Sequence, residues 1–180
     1  MILVTTGTQV HFDRLVAAID EIAPRFPSDH FIIQVKKTHQ KISSKNVEIV
    51  DFISPALFTK YMRKAELIIS HAGVGTIINA ALQCKHLILF PRLRVFKEHR
   101  NDHQLATCKM LQETYSLNVA NNVDELFGLM HLFKKGKLAP MEPVKEAASP
   151  ELITSLKNFV EEVVKDTPKV LSDPIFEKPY

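Results

Sequence analysis

A chain of 180 residues with 46% hydrophobic side chains, 5 glycines and 10 prolines has material for one full hydrophobic core, and is neither fibrous nor low in complexity. Its 23 basic and 20 acidic residues leave a net charge of +3. That surplus is too small to indicate nucleic acid and fits work near anionic phosphates or an anionic membrane face.

The apolar run from Met1 to Thr5 suits a central parallel strand covered on both faces, and Thr6-Gly7-Thr8-Gln9 follows as a polar turn. Asp13 is expected to cap a helix whose buried stripe is Leu15, Val16, Ile19, Ile22 and Ala23, stopped by Pro24 and Pro27. Phe31–Val35 and Val47–Phe52 read as the second and third strands, joined by a polar, basic connection. Ser54-Pro55 opens a helix as N-cap plus first-turn proline, with Leu57, Phe58, Tyr61, Met62 and Ala65 expected inside. Leu67–Ser70 is a fourth strand, followed by a glycine turn and a helix to about Cys84. Leu87–Phe90 is a fifth strand, ended by Pro91 and a long loop to Asn101. Asp102 is expected to cap a helix with Leu105, Cys108 and Leu111 on one face, and Leu117–Ala120 is a short sixth strand. Asn122 and Glu125 resemble a capping box opening a helix with Leu126, Leu129, Met130 and Phe133 inside. A proline-bearing stretch, 136–150, leads to an amphipathic pattern at Leu152, Leu156, Phe159, Val160 and Val163, and then a proline-interrupted tail from Asp166 to Tyr180.

Strands alternating with helices predict an α/β, doubly wound, mainly parallel six-stranded sheet, Rossmann-like in layout, whose ligands bind at the carboxyl ends of the strands. The loops after strands one, four and five are then the places for a site. Ser70-His71-Ala72-Gly73-Val74-Gly75-Thr76 is the stretch around which the rest is arranged. Its glycines let backbone approach a ligand, and the new helix offers unpaired N–H groups and a positive dipole end, which together suit an anion. A plain strand-to-helix turn reads the same way. Gly7, Gly73 and Gly75 fall in two of the three candidate loops, which favours the anion site.

The loop after strand five carries Arg92, Arg94, Lys97, His99 and Arg100, a density suited to phosphate, although each side chain alone reads equally well as solvated surface. His103 and Gln104, in the first turn of the following helix, are expected to face the same cleft as His71. Of the eight histidines only His99 and His103 are four apart, with Asp102 between them as a cap, so no metal is expected. No Gly-x-Ser-x-Gly elbow is present, and Ile78 stands where a dinucleotide fingerprint needs a small residue. Cys84 and Cys108 lie outside any metal or redox spacing and read as reduced thiols. Met1-Ile2-Leu3-Val4 lacks the features of a signal peptide, and no apolar run nears a bilayer span.

Val4-Thr5-Thr6-Gly7-Thr8, Ile69-Ser70-His71-Ala72-Gly73-Val74-Gly75-Thr76, and Phe90-Pro91-Arg92 through Glu98-His99 to Asn101-Asp102-His103-Gln104-Leu105 occur in order over roughly residues 1 to 120. In these the sequence resembles the glycosyltransferase family that holds the C-terminal, donor-binding half of the peptidoglycan GlcNAc transferase. It is more similar still to the small split members: the catalytic subunit of the eukaryotic N-glycan UDP-GlcNAc transferase pair, and bacterial exopolysaccharide and capsule transferase subunits. Two positions depart from the family pattern. Asn79 stands where a glutamate usually holds the ribose hydroxyls, and the usual Gly-Lys-Pro before strand five reads Cys84-Lys85-His86.

The resemblance implies one half of a GT-B enzyme: a UDP-sugar-binding domain over 1–135, a linker over 136–150, and a C-terminal helix and tail over 151–180 that packs on the domain or on a partner. It implies metal-independent, inverting transfer of a hexose from a UDP-sugar to a lipid-diphosphate-linked sugar, with no cofactor beyond the donor substrate. The missing half would be a membrane-anchored, acceptor-binding subunit holding this chain at the cytoplasmic face of the membrane. Donor contacts are expected at Gly7, Thr8, Gly73, Gly75, Thr76, Asn79, His103 and Gln104, with phosphate contacts at Arg92, Arg94 and Arg100. His71 is the in-chain candidate for a general base, which otherwise belongs to the partner. The alternative is a non-catalytic subunit that binds the nucleotide-sugar and activates a partner transferase.

Overall fold

The computed structural model describes residues 1–7, 10–51, 53–115, 117–143 and 154, with backbone alone for Glu113, Thr114 and Tyr115. The chain divides into a unit Met1–Val144 and a unit Lys145–Tyr180, and the fold below is that of the first. The amphipathic pattern at Leu152–Val163 and the tail lie outside the described residues.

The elements run β1 (Ile2–Thr5), α1 (Asp13–Ile22), β2 (Phe31–Gln34), β3 (Val47–Val50), α2 (Pro55–Lys64), β4 (Leu67–Ser70), α3 (Val74–Leu82), β5 (His86–Leu89), α4 (His103–Tyr115), β6 (Asn118–Val119) and α5 (Val123–Lys134), with 3-10 turns at Ala23–Arg25 and Arg94–Phe96. All strand pairs are parallel, in the order β3-β2-β1-β4-β5-β6. The doubly wound, Rossmann-like expectation holds. Strand direction of growth reverses between β1 and β4, and the crevice between two such strands is where open α/β sheets take ligands.

The alternation along β1 shows why both faces are covered. Ile2 and Val4 enter a core cluster with Leu15, Val16, Ile19 and Ile22 of α1 and Leu126 and Met130 of α5. Leu3, between them, enters the opposite cluster with Met62 of α2, Ile77 and Ala80 of α3 and Cys108 of α4. Burying each such side chain contributes roughly 1.5–3 kcal/mol, so the sheet is held from two sides. The Cys108 thiol is pushed up to about 11 by its burial in this apolar layer, and it stays protonated and inert.

Two helix starts are as expected. Ser54 Oγ accepts the Leu57 N–H with Pro55 in the first turn, and Asn122 Oδ1 accepts the Glu125 N–H at 2.9 Å while Glu125 accepts from Asn121 and Asn122. Two are not. Phe12 occupies the α1 cap position without a side-chain cap, and the Asp13 carboxylate binds the Thr38 hydroxyl at 2.6 Å and the His39 N–H at 3.2 Å. Asp102 turns its carboxylate to the Arg94 N–H at 2.8 Å, tying down the loop before α4. Leu57 and Leu105, expected inside, are exposed, because α2 and α4 each rest on the sheet through a narrow stripe. Beyond α5, Leu138 is buried in the α1/α5 cluster and the Met141 N–H donates to the Lys85 carbonyl.

Candidate functional site

The carboxyl ends of the central strands form a buried polar floor. Thr5, Gln34 and Ser70 are in register and buried, and the Thr5 hydroxyl meets Gln34 Oε1 at 3.0 Å. Above it, the loops after β1 and β4 meet through one imidazole. A Cβ on Gly7 would stand 2.7 Å from His71 Cε1, and one on Gly73 would overlap His71 Nε2. Gly7 has a φ of +79°, which a side chain rarely adopts. Both glycines therefore make room for His71 as well as for any ligand. The His71 N–H donates to the Thr5 carbonyl at 3.3 Å, which fixes the β4 loop on β1.

Burial, helped by the neighbouring Arg92 guanidinium, depresses the His71 imidazole to about 4. It is neutral at pH 7 and a weak base.

Two adjoining cavities open over this floor, sharing Gly7, His71 and Gly73. The first, about 250 Å³, is also lined by Val10, Arg92, His99 and Gln104. The second, about 380 Å³, adds Thr5, Gln34, Gly75, Thr76 and Asn79 from one side and Ile53, Pro55 and Phe58 from the other. Of the expected donor residues, the fold brings Gly7, Gly73, Gly75, Thr76, Asn79 and Gln104 together here, with His71, the candidate base, among them. Thr8 lies outside the described residues. His103 is exposed at the start of α4 and lines neither cavity, so it and Gln104 do not share the cleft.

The amide donors differ from expectation. The Gly73 N–H donates to the His71 carbonyl at 2.7 Å and the Thr76 N–H to the Gly73 carbonyl at 3.0 Å, so both are used within the turn. Gly73 caps α3 without a side chain, leaving the first-turn amides of Val74 and Gly75 as the anion-directed pair. A Cβ on Gly75 would meet nothing within 4 Å, so the backbone there is open to the cavity. The Asn79 amide donates to the Gly75 carbonyl at 2.8 Å, which orients Oδ1 as its remaining acceptor. Gln104 Oε1 accepts the N–H groups of Ala72 at 3.2 Å and Arg92 at 3.1 Å, locking the β4 and β5 loops together.

The fold does not bring the three arginines to one place. Arg92 is only 3% exposed, and its guanidinium donates to the carbonyls of Thr6, Val10, His11 and Glu98 at 2.5–3.0 Å. It is a strut between the β1 and β5 loops. Arg94 and Arg100 are exposed and line neither cavity. A second strut was not read from the sequence: Arg14 forms a two-pronged pair with buried Glu98 at 2.8 and 3.0 Å, stacked 4.4 Å from the Phe90 ring. The Ile53-Pro55-Phe58 wall was missed too. The Ser54-Pro55 helix start was its only signal, and strand order alone carries it to the site. Among the described residues no three His, Cys, Asp or Glu side chains converge as a metal site would need.

Comparison with known proteins adds the lineage. The model of the glycosyltransferase family 28 C-terminal domain matches residues 1–162. A search of curated sequences finds no match. Among solved structures, the solution structure of ALG13 is similar at 19% identity, covering 86% of this chain and 93% of that one, with a TM-score of 0.55. MurG of Acinetobacter baumannii is similar at 17% identity and a TM-score of 0.52, covering 91% of this chain and 49% of its own. The UDP-GlcNAc 2-epimerase from Neisseria meningitidis, bound to UDP-GlcNAc, is similar at 15% identity and 0.56, over 92% of this chain and 44% of its own. This chain spans less than half of the latter two. At such identities the likeness is one of fold, and the six-stranded parallel domain matches one half of a GT-B glycosyltransferase. With the family model running over residues 1–162, the chain belongs to glycosyltransferase family 28 and carries its C-terminal domain.

Proposed function

We propose that this domain binds the UDP-sugar donor of a split glycosyltransferase. It would transfer a hexose, with inversion and without metal, to a lipid-diphosphate-linked sugar in polysaccharide or glycolipid-precursor synthesis. The carrying observation is the uncapped N-terminus of α3 opening, at Gly75, onto a cavity at the strand-order reversal.

In this reading the Val74 and Gly75 amides and the Thr76 hydroxyl hold the diphosphate, stabilising charge as it develops on the leaving UDP. Asn79 Oδ1 accepts from a ribose hydroxyl, and the Ile53-Pro55-Phe58 wall takes the base. The sugar extends into the first cavity toward Gln104. The acceptor oxygen attacks the anomeric carbon, the bond to the diphosphate breaks, and the acceptor proton passes to a base. Held near a pKa of 4, His71 is a poor match for that proton and serves to position the glycine turns. The base is assigned to a membrane-anchored partner subunit, which also binds the acceptor and keeps this chain at the cytoplasmic face. The region beyond residue 150 is proposed to pack on this domain or on that partner.

Asn79, lacking the charge of a carboxylate, favours a second reading: a subunit that binds donor weakly and activates a partner transferase. Transfer by the co-purified pair from a labelled UDP-sugar to a lipid-diphosphate sugar separates the two. Loss of transfer in Gly75→Asp with pairing intact supports donor binding for catalysis in this chain; unchanged transfer rejects it.

A further inference from the structure

The loop after β5 contains a feature the donor site does not use. We infer that its tip, Val95-Phe96 flanked by Arg94, Lys97 and Arg100, makes direct contact with an anionic lipid bilayer. Val95 is 78% and Phe96 56% exposed, on the 3-10 turn Arg94–Phe96. Single exposed apolar residues are ordinary on protein surfaces; here two adjacent ones share one short turn.

The tip is held rigidly from below. Glu98 accepts the Leu93 N–H at 2.9 Å and Asp102 the Arg94 N–H at 2.8 Å, while the Arg14 guanidinium lies 5.1 Å from the Phe96 ring. Lys97 closes the turn in the left-handed region, at a φ of 56°. Charge is sorted across the loop. Glu98 is turned inward, 5% exposed and paired with Arg14, and the exposed Asp102 is engaged by the loop backbone. Arg94, Lys97 and Arg100 all face solvent.

An apolar pair ringed by cations matches the acyl boundary and headgroups of an anionic membrane. A protein interface is the less suitable occupant, because lysine is depleted from interface cores. The assignment does not rest on the transferase reading, because vesicle binding is measured without nucleotide.

The test is flotation of the full chain with vesicles of phosphatidylcholine, alone or with about one-third phosphatidylglycerol. Binding is expected only to the anionic vesicles. Val95→Ser with Phe96→Ser, which keeps the charge, is expected to weaken it by roughly ten-fold or more. Arg94→Gln, Lys97→Gln and Arg100→Gln are expected to weaken it by about five-fold each. Since the chain has 0 tryptophans, Phe96→Trp gives a single reporter whose emission should shift to the blue on anionic vesicles. No binding, equal binding by the Val95→Ser, Phe96→Ser variant, or an unshifted reporter on bound vesicles would overturn the assignment.

Discussion

His71 links the two glycine turns, and its burial makes it a pH-dependent element of stability. In the unfolded chain an imidazole titrates near 6.5; here it is held at about 4. The unfolded state therefore binds more protons between those values. The contribution of this ring is fully present above pH 6.5, falls as pH drops toward 4, and is lost below. The expected loss is on the order of 2 kcal/mol, discounted for partial solvent contact. Urea melts at pH 7 and pH 5 should show this slope, and His71→Asn should flatten it; a slope that persists would contradict the role given to this ring. Arg92 is the other residue-scale test. Arg92→Met leaves buried carbonyls without donors, and should cost about 3–5 kcal/mol in a urea melt.

At the scale of elements, the helix ends carry separable contributions. Ser54→Ala and Asn122→Ala each remove a cap and should lower stability by about 1 kcal/mol. Cys84, just past α3, sits at a φ of 47°, in the left-handed region that favours glycine. Cys84→Gly should relieve strain and stabilise by roughly 0.5–1 kcal/mol, read as an increase in urea midpoint. Beside it, Lys85 donates to the Arg63 and Ala65 carbonyls at 2.6 and 2.8 Å, closing the C-terminal end of α2. Features that depend on near neighbours were legible in the sequence: the two-faced strands, the Ser54 and Asn122 starts, and the glycine turn before α3. Asp13 and Asp102 read as caps by the same local rule, but each has a distant partner in an adjoining loop. Leu57 and Leu105 fit a helical stripe, yet periodicity does not reveal how wide a face the sheet will cover.

For the whole molecule, strand order creates the site. Growth away from β1 in both directions places the Gly7 turn beside the Gly73 turn, and the β3–α2 connection brings Ile53, Pro55 and Phe58 to the same cavity. Alternating strands and helices pointed to the carboxyl edge, so Gly7, the Gly73–Thr76 turn, Asn79 and Gln104 were anticipated as lining of one cleft. The wall from α2 and the Arg14–Glu98 strut, 84 residues apart in sequence, emerge only when the strands are ordered. Arginine density after β5 looked like one phosphate site, but burial separates it: Arg92 is consumed by carbonyls and the others face solvent.

The central claim is that the open N-terminus of α3 receives a nucleoside diphosphate, and calorimetric titration of UDP into the protein tests it most directly. Binding is expected without metal and unchanged by magnesium. Gly75→Asp is the informative variant, because its side chain has open space and an acid in the first turn of a helix stabilises it. Its fold should therefore survive while UDP affinity falls by at least about 100-fold, through like-charge repulsion and the lost approach to backbone. An affinity that Gly75→Asp leaves unchanged, or no UDP binding by either the folded domain or the co-purified pair, would contradict the account.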